Sequence, residues 1–280
     1  MSIELPEARI LADQMGKKLV GKRVKAHLLK DWQRLQKTGF INRDLKAFGQ
    51  LVNREVLSVV SRGNVIRVRL DCGKNLILCP EYGGEIFYFA GGTAATERFH
   101  LRVDFTDGSA LTVRLTGMGG IYVYEDEELV RSYVFKRDFN PVILSPIDRE
   151  FTLERFSQLL SEKSVALKSV LVGKDAVVVG LGNSAFQDIL YRAGLHPKRK
   201  ASELNDDERK ALYDAIRLVL CQRLQQNGKD KFMDLYGKRG GYSPAMGPNK
   251  KQQKCPKCGS LIEKLNIGGG QVYLCQKCQT

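Results

Sequence analysis

Four cysteines stand as Cys255-x-x-Cys258 and Cys275-x-x-Cys278, with sixteen residues between the pairs. Each Cys-x-x-Cys turn offers two thiolates to one ion, and the stretch between them is long enough for a β-hairpin, so this spacing suits a tetrahedral zinc site. Cys72, Cys79 and Cys221 are scattered, and a total of seven argues against a disulfide framework. A pair of redox dithiols is the alternative chemistry, but no thioredoxin-like βαβ pattern surrounds them. The expectation is one structural Zn2+ on Cys255, Cys258, Cys275 and Cys278. A second constellation is Gly180-Leu181-Gly182-Asn183. Its glycines permit a tight turn and let backbone amides approach a phosphate, and Asn183 adds a side-chain donor at a helix start. Taken alone, this motif is weak evidence, and a purely structural turn is the stronger reading of it.

Charge points toward a polyanion. The 280 residues carry 45 Lys plus Arg against 31 Asp plus Glu, a net charge of +14. Neutralising phosphates releases condensed counterions, which favours nucleic acid as the partner. The excess is uneven: Ile189 to Lys200 holds Arg192, Lys198, Arg199 and Lys200 with no acid, and Gly228 to Lys264 holds nine basic and three acidic residues, a net of +6. No stretch approaches the roughly 18 uncharged apolar residues of a spanning helix. Met-Ser-Ile-Glu-Leu-Pro-Glu has no apolar signal region, so a soluble intracellular protein without membrane contact is expected.

The elements that must position these residues follow from hydrophobic period. Ala8, Leu11, Met15 and Leu19 recur at three- and four-residue steps, predicting a helix from about Pro6 to Leu19 that Gly21 stops. From about Arg23 to Tyr124 the pattern becomes short alternating runs. Ile66, Val68 and Leu70 oppose Val65, Arg67 and Arg69. Asp71 to Lys74 turns the chain, and Asp107-Gly108 marks a hairpin. After Pro141 the period is helical, with helices predicted over 153–160, 165–172 and 184–194. Another follows the capping pattern Asn205-Asp-Asp-Glu208. A basic, glycine-containing linker from Lys238 to Lys254 precedes the cysteines. The fold class expected is α+β and multidomain. Residues 1–140 form an N-terminal helix and antiparallel β-sandwich, 141–248 a helical domain, and 249–280 a four-cysteine zinc hairpin.

Leu167-Lys168-Ser169, Gly180-Leu-Gly-Asn183 and Leu190-Tyr-Arg-Ala-Gly-Leu-His-Pro197, in this order, resemble the helix-two-turn-helix region of the formamidopyrimidine-DNA glycosylase and endonuclease VIII family. The opening Glu4-Leu-Pro-Glu7 and the terminal cysteine hairpin fit the same family, so the resemblance spans nearly the whole chain. It implies a base-excision repair protein, a DNA glycosylase and abasic-site lyase. Such a protein binds damaged or abasic double-stranded DNA, extrudes the lesion base and cleaves its N-glycosidic bond. An N-terminal amine attacks the sugar and forms a Schiff base. Carried over residue by residue, Glu4 becomes the catalytic carboxylate. Lys168, Gly182, Asn183 and Tyr236 become DNA contacts, and a monomeric, cytoplasmic, nucleoid-associated protein is expected.

Four positions depart from the family pattern. Ile3 stands where the family's terminal proline belongs, so the nucleophile becomes the amine of Ser2 after removal of Met1. Asn64, after Arg62-Gly63, replaces a phosphate-gripping lysine. Leu115-Thr-Gly-Met-Gly-Gly120 replaces a loop bearing an arginine and an aromatic wedge, leaving Met118 as the apolar plug. Gly270 replaces an arginine of the zinc hairpin. These losses make a catalytically silent lesion-DNA-binding homologue the alternative reading.

Overall fold

A computed structural model describes residues 3–173 and 175–280. The chain divides into two compact units: one runs to Asn140 and takes in Asn227–Gly241, and the other holds Pro141–Gln226 and Tyr242–Thr280. Among the described residues no helix is long and apolar enough to cross a membrane.

In the first unit, α1 spans Leu5–Leu19. Pro6 sits in its first turn, where no intrahelical N–H is lost. The predicted stripe of Ala8, Leu11, Met15 and Leu19 is buried, and the helix packs on β2 (Val56–Arg62) and β3 (Val65–Leu70). Together with β4 (Lys74–Cys79) and β8 (Gly120–Glu125) these strands form an antiparallel sheet ordered β2-β3-β4-β8. A second antiparallel sheet is ordered β1-β6-β7-β5, from β1 (Val24–Leu29), β5 (Glu85–Phe89), β6 (Leu101–Phe105) and β7 (Ala110–Arg114). α2 (Gln33–Lys37) is a single turn after β1.

Register explains the core. Ile66 pairs with Leu78 and Leu78 with Ile121; Val68 pairs with Leu76 and Leu76 with Val123. These rows are buried, as one face of a period-2 strand requires. Val65, Ile77 and Cys79 point to the opposite face and are buried too. There they meet Leu129 and Val134 from the short helices α3 (Asp126–Arg131) and α4 (Tyr133–Asp138).

The second unit is built on α5 (Leu153–Ser161), α6 (Leu167–Val172), α7 (Asn183–Ala193) and α8 (Asp206–Gln225). Phe156, Leu167, Phe186, Ile189, Ile216 and Leu220 centre its core. The predicted capping box is present, with Glu208 N donating to Asn205 Oδ1 at 2.9 Å and Asn205 N to Glu208 Oε2 at 2.9 Å. Gly194 closes α7 in the left-handed region, at φ 74°. A two-stranded hairpin, β9 (Glu263–Ile267) and β10 (Gly270–Leu274), ends the chain. Its two-residue turn is Gly268-Gly269, both at positive φ as the tight hairpin turn demands. Within the basic, glycine-containing linker before it, Tyr242 and Met246 are buried. Tyr242 joins the helical core, and Met246 packs with Tyr191 and the cysteine hairpin.

Candidate functional site

The four cysteine sulfurs of the second unit lie within 4.8 Å of one another. Cys258 and Cys275 sulfurs are 3.4 Å apart, and those of Cys255 and Cys278 are 3.9 Å apart. A tetrahedral zinc with ~2.3 Å Zn–S bonds needs sulfur–sulfur edges of ~3.8 Å, so the donor set fits the ion. As thiols the four titrate apart. The Cys258 thiol is lowered to about 6, first by the side-chain hydrogen bond with Ser260. Cys278 is pushed up to about 12, first by its interaction with Cys258. Crowded sulfurs share protons until like charge forbids the last ionisation, and a divalent cation removes that conflict. The four residues form one structural zinc site. Tyr191 hydroxyl lies 3.3 Å from the Cys255 sulfur, and Lys257 Nζ stands 4.7 Å from the centre of the Tyr191 ring.

Beside this hairpin, the structure gathers three of the predicted contact residues. Gly182 is the N-cap of α7 and Asn183 its first residue. Asn183 Oδ1 accepts from Lys168 Nζ, and Asn183 Nδ2 donates to Gln271 O of β10 at 2.7 Å. Lys168 Nζ also stands 4.9 Å from the centre of the Phe186 ring. Gly270 of the hairpin lies against this pair: a Cβ there would stand in ordinary van der Waals contact, 3.6 Å from Lys168 Nζ and 3.7 Å from Asn183 Oδ1. Helix amides, an asparagine amide and a lysine thus converge where anion binding is favourable.

A buried polar network behind the start of α7 was not foreseen. Arg223 of α8 is buried and donates to Ser184 Oγ at 3.0 Å, with its guanidinium 5.6 Å from the Tyr242 ring centre. Tyr242 hydroxyl donates to Asp188, which also accepts from Arg192 Nε at 2.9 Å. The isolated Arg223 and Tyr242 carry no motif, and only their meeting across the fold gives them a role.

The first unit holds the other predicted residues. Ser2 lies outside the described residues, and Ile3 is buried. Glu4 and Glu7 form the capping box of α1, with Glu4 N donating to Glu7 Oε2 at 3.1 Å. A third group joins them that sequence reading missed. Lys229, directly after the turn that follows α8, places Nζ 4.0 Å from Glu4 Oε1 and 4.0 Å from Glu7 Oε2. Its own backbone N donates to Glu7 Oε1 at 3.2 Å. All three are deeply buried: Glu4 is 1% exposed, Glu7 0% and Lys229 4%. Charged groups persist at such burial only when paired.

Met118 is exposed at the tip of the β7–β8 loop, and Tyr236 is exposed next to Asp234, whose Oδ1 accepts from Tyr236 N at 3.0 Å. Asn64 Oδ1 accepts from Arg137 Nη2 at 3.0 Å. That guanidinium also binds Glu81 and Asp138, so the position of the missing lysine has a cation beside it that two carboxylates already engage.

A hairpin zinc site packed against a helical unit whose α7 N-terminus gathers Gly182, Asn183 and Lys168, with a separate β-sandwich unit, defines a class of zinc-hairpin, helix-two-turn-helix proteins. Residues 143–233 match the formamidopyrimidine-DNA glycosylase H2TH domain, and residues 252–280 match the zinc finger found in FPG and IleRS. These two matches, with the likenesses that follow, support the formamidopyrimidine-DNA glycosylase and endonuclease VIII family for this chain. A formamidopyrimidine-DNA glycosylase of Roseiflexus sp. is 28% identical over 284 residues, covering 99% of each chain. One from Streptococcus pneumoniae is 25% identical over 279 residues, covering 99% of this chain and 98% of that one. Among solved structures, the MutM (FPG) protein of Thermus thermophilus superposes with TM-score 0.82 at 20% identity, covering 99% of this chain and 98% of that one. The Lactococcus lactis Fpg in complex with an N7-benzyl-Fapy-dG containing DNA superposes with TM-score 0.82 at 22% identity, covering 99% of both.

Proposed function

We propose that this chain is a base-excision DNA glycosylase that acts on damaged or abasic duplex DNA in the cytoplasm, at the nucleoid. The observation that carries the reading is the Lys168–Asn183 pair fixed at the N-terminus of an eleven-residue helix and tied to β10 through Gln271. This arrangement sets a lysine and an asparagine amide at a helix N-terminus, where a phosphate is favoured. It accompanies full-length similarity to glycosylases at 25–28% identity. Lesion chemistry belongs to residues 1–140, the DNA grip to 141–248 and the hairpin to 249–280. Tyr236 adds a phosphate contact. The Ser2 amine attacks C1′ as the base leaves, and the Glu4 carboxylate stabilises the opening sugar. The resulting imine is the intermediate from which strand cleavage proceeds by elimination.

Borohydride trapping on an abasic-site duplex tests this. A covalent adduct is expected, lost when the N-terminus is blocked; tight lesion binding with no adduct would instead support the silent homologue. The grip has its own test. Lys168→Ala should weaken binding across all sequences and reduce the salt slope of log K by about 1. Asn183→Ala should also weaken it, by about tenfold, through loss of one charge-assisted hydrogen bond to phosphate. Wild-type affinity in either variant removes that residue from the footprint.

A further inference from the structure

One face of α7 is polar where it meets the terminal hairpin. Asn183, Gln187 and Tyr191 recur at four-residue steps, so they stand one above the other along the helix. Asn183 Nδ2 donates to Gln271 O of β10 at 2.7 Å. Two residues further along that strand, Tyr273 N donates to Gln187 Oε1 at 2.7 Å. Gln187 Nε2 in turn donates to Asn183 O at 2.8 Å, locking the two side chains into one turn. Tyr191 comes last on this face and reaches the cysteines: its hydroxyl lies 3.3 Å from the Cys255 sulfur.

Metal binding fixes the direction of that contact. Either atom could give the proton while Cys255 is a thiol. A cysteine that holds zinc is a thiolate with no proton left, so the hydroxyl must be the donor. Tyr191 is 3% exposed and Cys255 2%, and a hydrogen bond made away from water is stronger than an exposed one. Lys257, inside the first Cys-x-x-Cys turn, clamps the ring from its face. Its Nζ stands 4.7 Å from the ring centre and donates to Tyr191 O at 3.3 Å. An ammonium attracted to the ring face also draws electron density from the phenol, which strengthens its O–H as a donor.

The neighbouring ligand shows the same chemistry from a nearer source. Cys258 accepts from the side chain and the backbone of Ser260, a residue of the hairpin itself. Tyr191 lies 64 positions before its sulfur. Its contact therefore exists only when α7 and the hairpin are docked, whereas the Ser260 contact forms within one turn.

We propose that Tyr191 is a positioning residue of the zinc site: its hydroxyl hydrogen-bonds the Cys255 thiolate, fixes that ligand and slows loss of the metal. Partners of this kind behind the ligands typically change metal affinity about 10–100-fold when removed.

Tyr191→Phe in the full-length, zinc-loaded protein keeps the ring and removes the hydroxyl alone. Transfer of zinc to an excess of colorimetric chelator should become roughly tenfold to a hundredfold faster. The cobalt-substituted protein reads the bond itself. Its sulfur-to-cobalt charge-transfer absorption should move to longer wavelength in Tyr191→Phe, because a thiolate without the hydrogen bond gives up electron density more readily. Tyr273→Phe is the control. Tyr273 is buried in the same cluster, and loss of its hydroxyl should alter neither readout. Zinc transfer at the wild-type rate in Tyr191→Phe overturns the assignment, as does a cobalt spectrum that does not move. Equal changes in the two variants overturn it too, since they would report packing of the cluster and not a bond to sulfur. Circular dichroism of the helices, expected at the wild-type signal in both zinc-loaded variants, separates a lost hydrogen bond from a lost fold.

Discussion

Cys258→Ser, or a strong chelator at neutral pH, is expected to release the zinc, unfold residues 252–280 and abolish the affinity for DNA. The effect is large because structural zinc contributes roughly 10–16 kcal/mol of apparent binding free energy at neutral pH, and the ligands have no equivalent partner without it. The damage spreads by a defined route. The hairpin buries Cys255, Cys275 and Tyr273 with Tyr191 and Met246, so its loss uncovers that cluster. Gln271 O would leave Asn183 Nδ2, freeing the side chain proposed to grip phosphate. The helical core of Phe156, Phe186 and Ile216 should survive as a lower-melting remainder. Zinc release followed with a colorimetric chelator, together with proteolysis of the C-terminal segment, reads the outcome. Retention of one zinc per chain by the variant, or an unaltered melting curve, contradicts the structural role.

Lys229→Met is the second expected large effect. Methionine fills similar volume but leaves Glu4 and Glu7, both buried, without the ammonium that stands 4.0 Å from each. Breaking a buried ion pair from one side costs roughly 3–5 kcal/mol, because the remaining charge stays desolvated. For a domain of this size, each kcal/mol lowers the melting temperature by about 2–4 °C. Lys229→Arg should recover much of the loss, since it restores the cation. Coupling is the sharper measure: in a Glu7→Gln background the Lys229→Met cost should fall, and strictly additive changes would show that the groups do not interact.

Local signals were legible from the residues alone. The stripe of α1, the cap at Asn205 and the cysteine spacing each lie within one element or one hairpin, where period and turn chemistry speak directly. The two-sided burial of β3 was not legible. Val65 alternates with Ile66 as a half-solvated strand would, yet α3 and α4 cover it from residues about sixty or more positions away. Lys229 and Glu7 are separated by 222 positions, and a lysine in an Asn-Gly-Lys turn reads as solvated surface until that pairing is seen. The departures at Asn64 and Gly270 read as simple losses in one dimension. In space, Arg137 reaches Asn64 and Lys168 lies over Gly270.

The excursion of Asn227–Gly241 into the first unit has an evolutionary corollary. Lys229 and Asp234 reach α1 from beyond four helices of intervening chain, with Asp234 Oδ2 accepting from Gln14 Nε2 at 3.0 Å. The β-sandwich is therefore not a contiguous cassette: a gene fragment ending near Asn140 encodes the carboxylates without their counter-ion. A hybrid that exchanged residues 1–140 alone between relatives would have to carry Asn227–Gly241 with it to keep these pairings.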